Sequence, residues 1–472
     1  MSENLRLNRI KVKNLFDRFT YDINLDNGFS IGILIAPNGC GKTTIFNLIS
    51  FIFNPSFSGY RNIVNVPFDH CECVLSNKKK VTLKRTILPF EEEKNVDDIS
   101  KKRTRNRIDT YFGIRTKESV ELILSVKDEK GKKEKTFNVS KEIKNGVSHS
   151  DTDLPFIDED DYDVLDLDDL EILDLPSRYR VQLGRSSAIL NGVKDFLKSN
   201  NCDLDINYIR ADRLHKQYLF TDSYFYSRRI KDMQDLNPLS QIQKKTKNLY
   251  KEITEEYNNL QREMKDRLPK MYLDLDATDD TMDFEHFKKR WSAYLSNIEK
   301  YCEIGLLTSK QTILEMDELE DAFNKKKSFL TVYLEAFEKT LEPLERNYMR
   351  LKLFVDILNR RNRITHKKIK YGEEGIVVLV DGKSLPLECL SSGEKNDFIM
   401  FYNLIFDSQE NGLVLVDEPE ISLHIEWQEE YLDCLLDICK MNDLQAIVAT
   451  HSPNIVNGHF ELYADRGLTD GC

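Results

Sequence analysis

The stretch Ala36-Pro37-Asn38-Gly39-Cys40-Gly41-Lys42-Thr43-Thr44 decides the fold. Residues 29–35 before it are a short apolar run, as a buried strand requires, and residues 45–53 after it are an apolar helix. Strand, glycine-rich turn and helix in this order make a phosphate-binding loop. Gly39 and Gly41 let backbone N–H groups turn inward around phosphate oxygens. The helix start adds positive potential. Lys42 then neutralises β/γ charge, and the Thr43 hydroxyl is offered to Mg²⁺. Ala36 stands where a first glycine is usual, a position that tolerates a small side chain.

Working outward, two further apolar strands end in chemistry. Residues 413–416 run into Asp417-Glu418-Pro419. In an open parallel sheet, ligand groups gather at the carboxyl ends of strands. Asp417 is there to hold Mg²⁺, directly or through water, and Glu418 to position the attacking water. Residues 446–449 run into Thr450-His451-Ser452-Pro453, which puts His451 within reach of a γ-phosphate as a donor. Leu390-Ser391-Ser392-Gly393-Glu394-Lys395 precedes a helix expected over 397–405. Ser and Gly at a helix start form an anion site. Within one subunit that site has no obvious phosphate, which points to a phosphate from a second subunit.

Between these motifs the chain changes character. Residues 5–35 alternate as strands, with Ile10, Val12 and Leu15 in one and Tyr21, Ile23 and Leu25 in the next. Residues 81–88, 120–126 and 206–210 also read as strands, and residues 367–371, 375–381 and 385–390 as strands and turns. From about 238 to 362 the pattern is helical. Leu330, Leu334, Phe337, Leu341, Leu344, Tyr348, Leu351, Val355 and Leu358 step by four and three, a heptad seam. Pro343 inside it should kink the helix or divide it. A looser stripe runs Ile242, Leu249, Ile253, Tyr257, Leu260, Met264 and ends near Pro269. The two stretches suit a core face or a stubby antiparallel arm.

The motif set resembles an ABC-type ATPase head, an α/β P-loop NTPase with a short helical coiled-coil arm inserted between the Walker A and signature motifs. More narrowly it is similar to the chromosome-maintenance (SMC) and recombination-repair branch. About 350 residues separate Lys42 from Ser391, with the helices between. The resemblance implies three parts: an N-terminal ATPase lobe over 1–235, an arm over 236–364, and a C-terminal lobe over 365–472. It implies ATP and Mg²⁺ as cofactors, with Asn38 to Thr44 and Ser391, Ser392, Gly393 and Glu394 on the nucleotide. It also implies a homodimer or higher homo-oligomer through ATP-sandwiched heads. Ser392 and Gly393 of one subunit would face the γ-phosphate held by Lys42 of the other.

The wording of residues 417–424 and 449–456 looks like the OLD (overcoming lysogenization defect) family and related bacterial defence ATPases. Tyr208-Ile209-Arg210-Ala211-Asp212-Arg213-Leu214 resembles that group's Q-loop region, with Asp212 where a Gln is common, and so implies Asp212 as a further metal or water ligand. Only 21 residues follow His451, too few for the Toprim nuclease domain of OLD nucleases. The layout is most similar to the stand-alone AriA-type ATPases of PARIS anti-phage systems, and less to that of Septu. The resemblance implies a separate Toprim-type nuclease effector held and released by the ATPase, and a phage-encoded trigger. The alternative is a DNA-repair or DNA-end-binding ATPase.

Composition fits a charge-mixed body. Of 472 residues, 68 are Lys or Arg and 80 Asp or Glu, a formal charge of −12. Residues 151–174 hold 12 carboxylates and no cation, so the other 448 residues sum to zero. This excludes a globally basic nucleic-acid coat. The insert is a solvated loop or, given its interspersed Leu, Ile and Val, a strip that docks a basic partner. Two basic clusters, Lys101 to Arg107 and Arg360 to Lys370, are a solvated face or duplex-DNA contacts through phosphates. No apolar run is long enough to span a membrane. The N-terminus carries no signal-peptide pattern. The 9 cysteines lack a repeated spacing, which suits free thiols in a cytoplasm. His70-Cys71-Glu72-Cys73 reads as a strand with buried thiols rather than a zinc site.

Overall fold

In the computed structural model, residues 5–26, 28–37, 39–88, 119–128, 134–140, 191–211, 238–273, 282–307, 316–363, 365–421 and 423–466 are described. Residues 1–228 with 406–472 form one compact unit, and 229–405 a second. The acidic insert, the cluster at 101–107, Asn38 and Asp212 lie outside the described residues.

The first unit begins with β1 (Leu7–Leu15), β2 (Phe19–Asn24), β3 (Ile31–Ile35), α1 (Lys42–Phe53) and α2 (Phe57–Val64). It continues with β4 (His70–Leu75), β5 (Lys80–Leu88), β6 (Ser119–Lys127), β7 (Glu134–Asn138) and β8 (Ile206–Ile209). β1 pairs antiparallel with β2 on one side and β4 on the other, setting Val12 beside Tyr21 and Cys71. Alternation puts Ile10, Val12, Cys71, Cys73, Val81 and Leu83 into one core. β4 therefore buries both thiols of the His-Cys-Glu-Cys cluster. Cys71 and burial push the Cys73 thiol well up, the reverse of a metal thiolate. No group of three or more His, Cys, Asp or Glu side chains placed to hold a metal ion occurs among the described residues.

The second unit holds α3 (Pro238–Leu273), α4 (Phe284–Ile304), α5 (Met316–Thr340) and α6 (Glu342–Arg361). The hairpins β9 (Lys367–Gly372), β10 (Gly375–Val380) and β11 (Lys383–Leu385) and helix α7 (Ser392–Ile405) follow. The heptad stretch is divided, as Pro343 demands: α5 stops at Thr340, and Pro343 sits in the first turn of α6. Division also re-registers the seam. Leu344, Leu351 and Leu358 stay buried, but Tyr348 and Val355 are half-buried, and Phe354 and Ile357 take their place. α3 runs past Pro269 to Leu273. Its buried face carries Ile242, Ile253, Tyr257 and Met264 together with Thr246, Tyr250 and Gln261.

Close approach knits the helices to the hairpins. A Cβ at Gly305 would lie 1.9 Å from the Tyr371 carbonyl, and φ there is +95°. Only glycine can close α4 against β9 in this way. Buried Thr246 of α3 accepts from the Ile376 N–H at 3.2 Å and donates to the Gln243 carbonyl at 3.0 Å. Arg290 clasps Glu338 with bonds of 3.2 and 2.5 Å, joining α4 to α5. No helix among the described residues is long and apolar enough to cross a membrane.

The chain returns to the first unit with β12 (Leu413–Asp417), α8 (Ile425–Glu429), α9 (Tyr431–Asn442), β13 (Gln445–Thr450), α10 (Pro453–Val456) and β14 (Asp465–Arg466). β3, β13, β12 and β8 form a four-stranded sheet in that order, parallel throughout. β14 joins the edge of the antiparallel sheet, whose order is β14-β2-β1-β4-β5-β6-β7. Buried Gln445 locks the two sheets: its side chain accepts from the Leu7 N–H and donates to the Leu7 carbonyl, both at 2.8 Å. β12 and β13 are buried along their whole length and apolar except at their ends, as strands covered on both faces are.

Candidate functional site

Parallel pairing brings the carboxyl ends of β3, β12, β13 and β8 to one edge. The phosphate loop follows β3, Asp417-Glu418 ends β12, Thr450-His451 ends β13, and Tyr208 to Arg210 lie at the end of β8. The sheet order thus places next to each other motifs that lie hundreds of residues apart.

The loop is built by its glycines. Gly39 and Gly41 both hold φ +82°, and Gly41 caps α1 from the left-handed region. A Cβ on Gly41 would meet Leu15 at 2.7 Å and Phe16 at 3.0 Å. The Tyr21 hydroxyl donates to the Cys40 carbonyl, so β2 braces the loop from behind. Lys42 is buried, and its ammonium donates to the carbonyls of Ala36 at 2.7 Å and Pro37 at 3.2 Å. The cation is held across the loop's own mouth, where β/γ oxygens would replace these carbonyls. Thr44 is half-buried in the same first turn.

The second wall is Asp417, 1% exposed. One of its oxygens accepts from the Thr43 hydroxyl at 2.6 Å, with the Tyr208 hydroxyl 3.5 Å away. The other, Oδ1, is buried with no hydrogen-bond partner among the described residues. Burial raises the Asp417 carboxyl above its ordinary range, against the Thr43 hydrogen bond, which lowers it. A buried carboxylate with one orphaned oxygen beside a threonine hydroxyl is a donor set for a hard divalent cation. The residues present therefore fit Mg²⁺, which would be held through Thr43 and Asp417.

Glu418 follows with φ +44°, a left-handed conformation costly for a glutamate. Its N–H continues the ladder to the Ala449 carbonyl at 2.8 Å. The turn throws its carboxylate toward the site edge, 3.7 Å from His451 Nδ1. His451 Nδ1 is closer, at 3.0 Å, to Glu420.

Two contributors lie inside stretches that the sequence marks, 208–214 and 417–424, but with no role of their own there. Tyr208 lies under Asp417, edge-on to Phe46 of α1, and burial together with Asp417 raises its phenol. A hydroxyl-bearing ring near the end of an apolar strand was the available clue. Glu420 reads as one more acid in a turn, and its partners lie thirty residues on.

In the second unit, Ser391 to Glu394 form the first turn of α7, which begins at Ser392 rather than at 397. The Glu394 N–H lies 3.3 Å from Ser391 Oγ, and the Ser391 N–H donates to the Glu394 carboxylate at 2.8 Å. This is a reciprocal capping box. Lys367 binds the same carboxylate at 2.7 Å. Burial works to raise Glu394, yet the Lys367 and Ser391 bonds bring it below its ordinary value. Glu394 is thus engaged within the chain and shapes the helix start, leaving Ser391 and Ser392 exposed at its tip. The nearby basic cluster is partly spent as well: Arg361 pairs with Asp397 at 3.0 Å, both buried.

The chain belongs to the AAA ATPase domain family, AAA_15, whose model matches residues 6–456. The protein is an ATP-binding, ATP-hydrolysing P-loop enzyme with a helical insertion. Among solved structures, it is similar to an SMC head bound to the C-winged helix domain of ScpA, at 11% identity and TM-score 0.34, covering 98% of this chain and 96% of that one. It is also similar to the SMC head domain from Thermotoga maritima, at 10% identity and TM-score 0.29, covering 99% and 100%. A comparison with curated proteins finds no match.

Proposed function

We propose that this ATPase is a nucleotide-gated switch of bacterial anti-phage defence, a sensor and scaffold that holds a separate Toprim-type nuclease and releases it on infection. The observation that carries the gating is the shared edge of β3, β12 and β13, where Lys42, Thr43, Asp417, Glu418 and His451 belong to one compact unit. Lys42 binds the β/γ-phosphates. Thr43 and Asp417 would hold Mg²⁺, which would supply charge neutralisation at the transferring phosphoryl group. Glu418 orients the attacking water, and His451 donates to the γ-phosphate.

The α7 tip, with Ser391 and Ser392 exposed and Gly393 half-buried, carries α7's N-terminal dipole. It reads as the surface that a second copy's ATP engages, which makes a homodimer the minimum working unit. The defence role rests on the OLD-like wording of residues 417–424 and 449–456. The repair alternative leans on basic clusters for duplex DNA. Arg361 and Lys367 of one cluster are taken up in ion pairs within the chain, which favours the defence reading.

The test is phage plating on cells carrying this gene with its native neighbours. Lys42→Ala should abolish protection, and affinity capture should retain a neighbour-encoded Toprim nuclease with ATP but not with ADP. Full protection by Lys42→Ala, or salt-sensitive duplex-DNA binding that stimulates ATP turnover without nuclease capture, overturns it.

A further inference from the structure

We infer that Glu420 is the positioning residue of His451, and that it sets which imidazole nitrogen is presented to the nucleotide. The inference rests on the proposed role of His451 and adds a residue to it.

Glu420 is nine-tenths buried, and its Oε1 is a focus of donors from the turn that ends β13. The Thr450 hydroxyl reaches it at 2.6 Å, the His451 N–H at 2.9 Å and the Ser452 N–H at 3.2 Å. His451 Nδ1 lies 3.0 Å from the same oxygen. Ser452 also donates through its hydroxyl to Gln428 at 2.8 Å. The turn carrying His451 is therefore fastened to the loop that carries Glu418.

Fastening alone does not call for a charge. Glu420 Oε2 is buried without a hydrogen-bond partner among the described residues, an unfavourable arrangement for a carboxylate. The compensating contact that gains from charge is the imidazole. With a carboxylate accepting from Nδ1–H, Nε2 is the nitrogen left for the nucleotide side, and it donates to the γ-phosphate in the doubly protonated ring, the form in which both nitrogens are donors. The side chain of His451 is 43% exposed while that of Glu420 is 6% exposed, so the ring is held at its base and open at its tip.

The position of Glu418 adds a second consequence. Its carboxylate is 3.7 Å from the same Nδ1, near enough to capture the ring if Glu420 did not. By accepting from Nδ1–H, Glu420 leaves the Glu418 carboxylate available to a water molecule.

The test is a double-mutant cycle on steady-state ATP hydrolysis with Mg²⁺. Glu420→Ala should lower kcat about tenfold with KM for ATP within about twofold, the size expected for losing an orienting partner. In a His451→Ala background the same substitution should cost less than about twofold, since its target is gone. Glu420→Gln keeps an acceptor for the turn but not the charge; it should melt within about 3 °C of wild type and still lower kcat about threefold. If the tenfold loss recurs in the His451→Ala background, Glu420 is structural and the inference fails while the role of His451 stands. If His451→Ala itself turns over at the wild-type rate, the reading of His451 and the inference fall together. Should Glu420→Ala not fold, the cycle is run with Glu420→Gln, and additive losses overturn the inference in the same way.

Discussion

The Thr43 hydroxyl donates to Asp417 across 2.6 Å, joining residues 374 apart in the chain. The first turn of α1 and the last residue of β12 meet in that bond. Both groups are candidate ligands of one cation, and the fold brings them together through the order β3-β13-β12-β8.

Thr43→Val removes the donor while keeping the shape. Among the described residues, the Asp417 side chain then retains only the distant Tyr208 hydroxyl as a donor. Hydrolysis of ATP with Mg²⁺ should fall about a hundredfold, within the range for losing a positioned electrostatic contact. ATP binding measured by calorimetry in EDTA should change little. Equal losses of binding with and without Mg²⁺ would show that Thr43 serves the loop and not the metal.

Asp417 also makes a prediction about pH. Its folded-state carboxyl is raised, chiefly by burial. A group so raised subtracts stability at pH above its folded value, and the penalty fades as pH falls through that value toward the ordinary carboxylate range. Nucleotide-free Asp417→Asn should therefore melt at or above wild type at pH 8, by about 2–4 °C for each ~1 kcal/mol relieved. The gap should shrink as pH is lowered. A melting temperature below wild type at pH 8 refutes the charge-burial argument. The variant gains stability and loses activity, as expected of a site that stores strain for its ligand.

How much of this was legible beforehand differs by residue. The phosphate loop was, because strand, loop and helix are adjacent in sequence and Gly39 and Gly41 have no other use for φ +82°. So was the gathering of motifs at strand ends, because residues 29–35, 413–416 and 446–449 are apolar runs that lead straight into them. Glu420 was not, since nothing local distinguishes it from the other acids of its turn. Glu394 was read as part of an anion site, although Ser391 and Glu394 three residues apart already spell a capping box. Tyr348 and Val355 continue the heptad on paper. They drift from the core because Pro343 starts a new helix whose 3.6-residue period is not tied to the first.

The Arg361–Asp397 pair, 3.0 Å apart and almost unexposed, fastens α6 to α7. Arg361 also lies over the Phe401 ring, 4.6 Å from its centre. Arg361→Met should destabilise by about 3–5 kcal/mol in urea unfolding, because the Asp397 carboxylate stays buried after losing the guanidinium. Adding Asp397→Leu should recover most of that loss. If the double variant is no more stable than the single, the cost comes from lost packing of the guanidinium.

The central claim is that Glu418, at the strained end of β12, positions the water that attacks ATP. Glu418→Gln keeps the size and the hydrogen-bonding reach but removes the base. Single-turnover hydrolysis with Mg²⁺ and saturating ATP measures it most directly. The account predicts ATP binding close to wild type and a hydrolysis rate lower by about a hundredfold or more. A Glu418→Gln protein that binds ATP and hydrolyses it at the wild-type rate would contradict it.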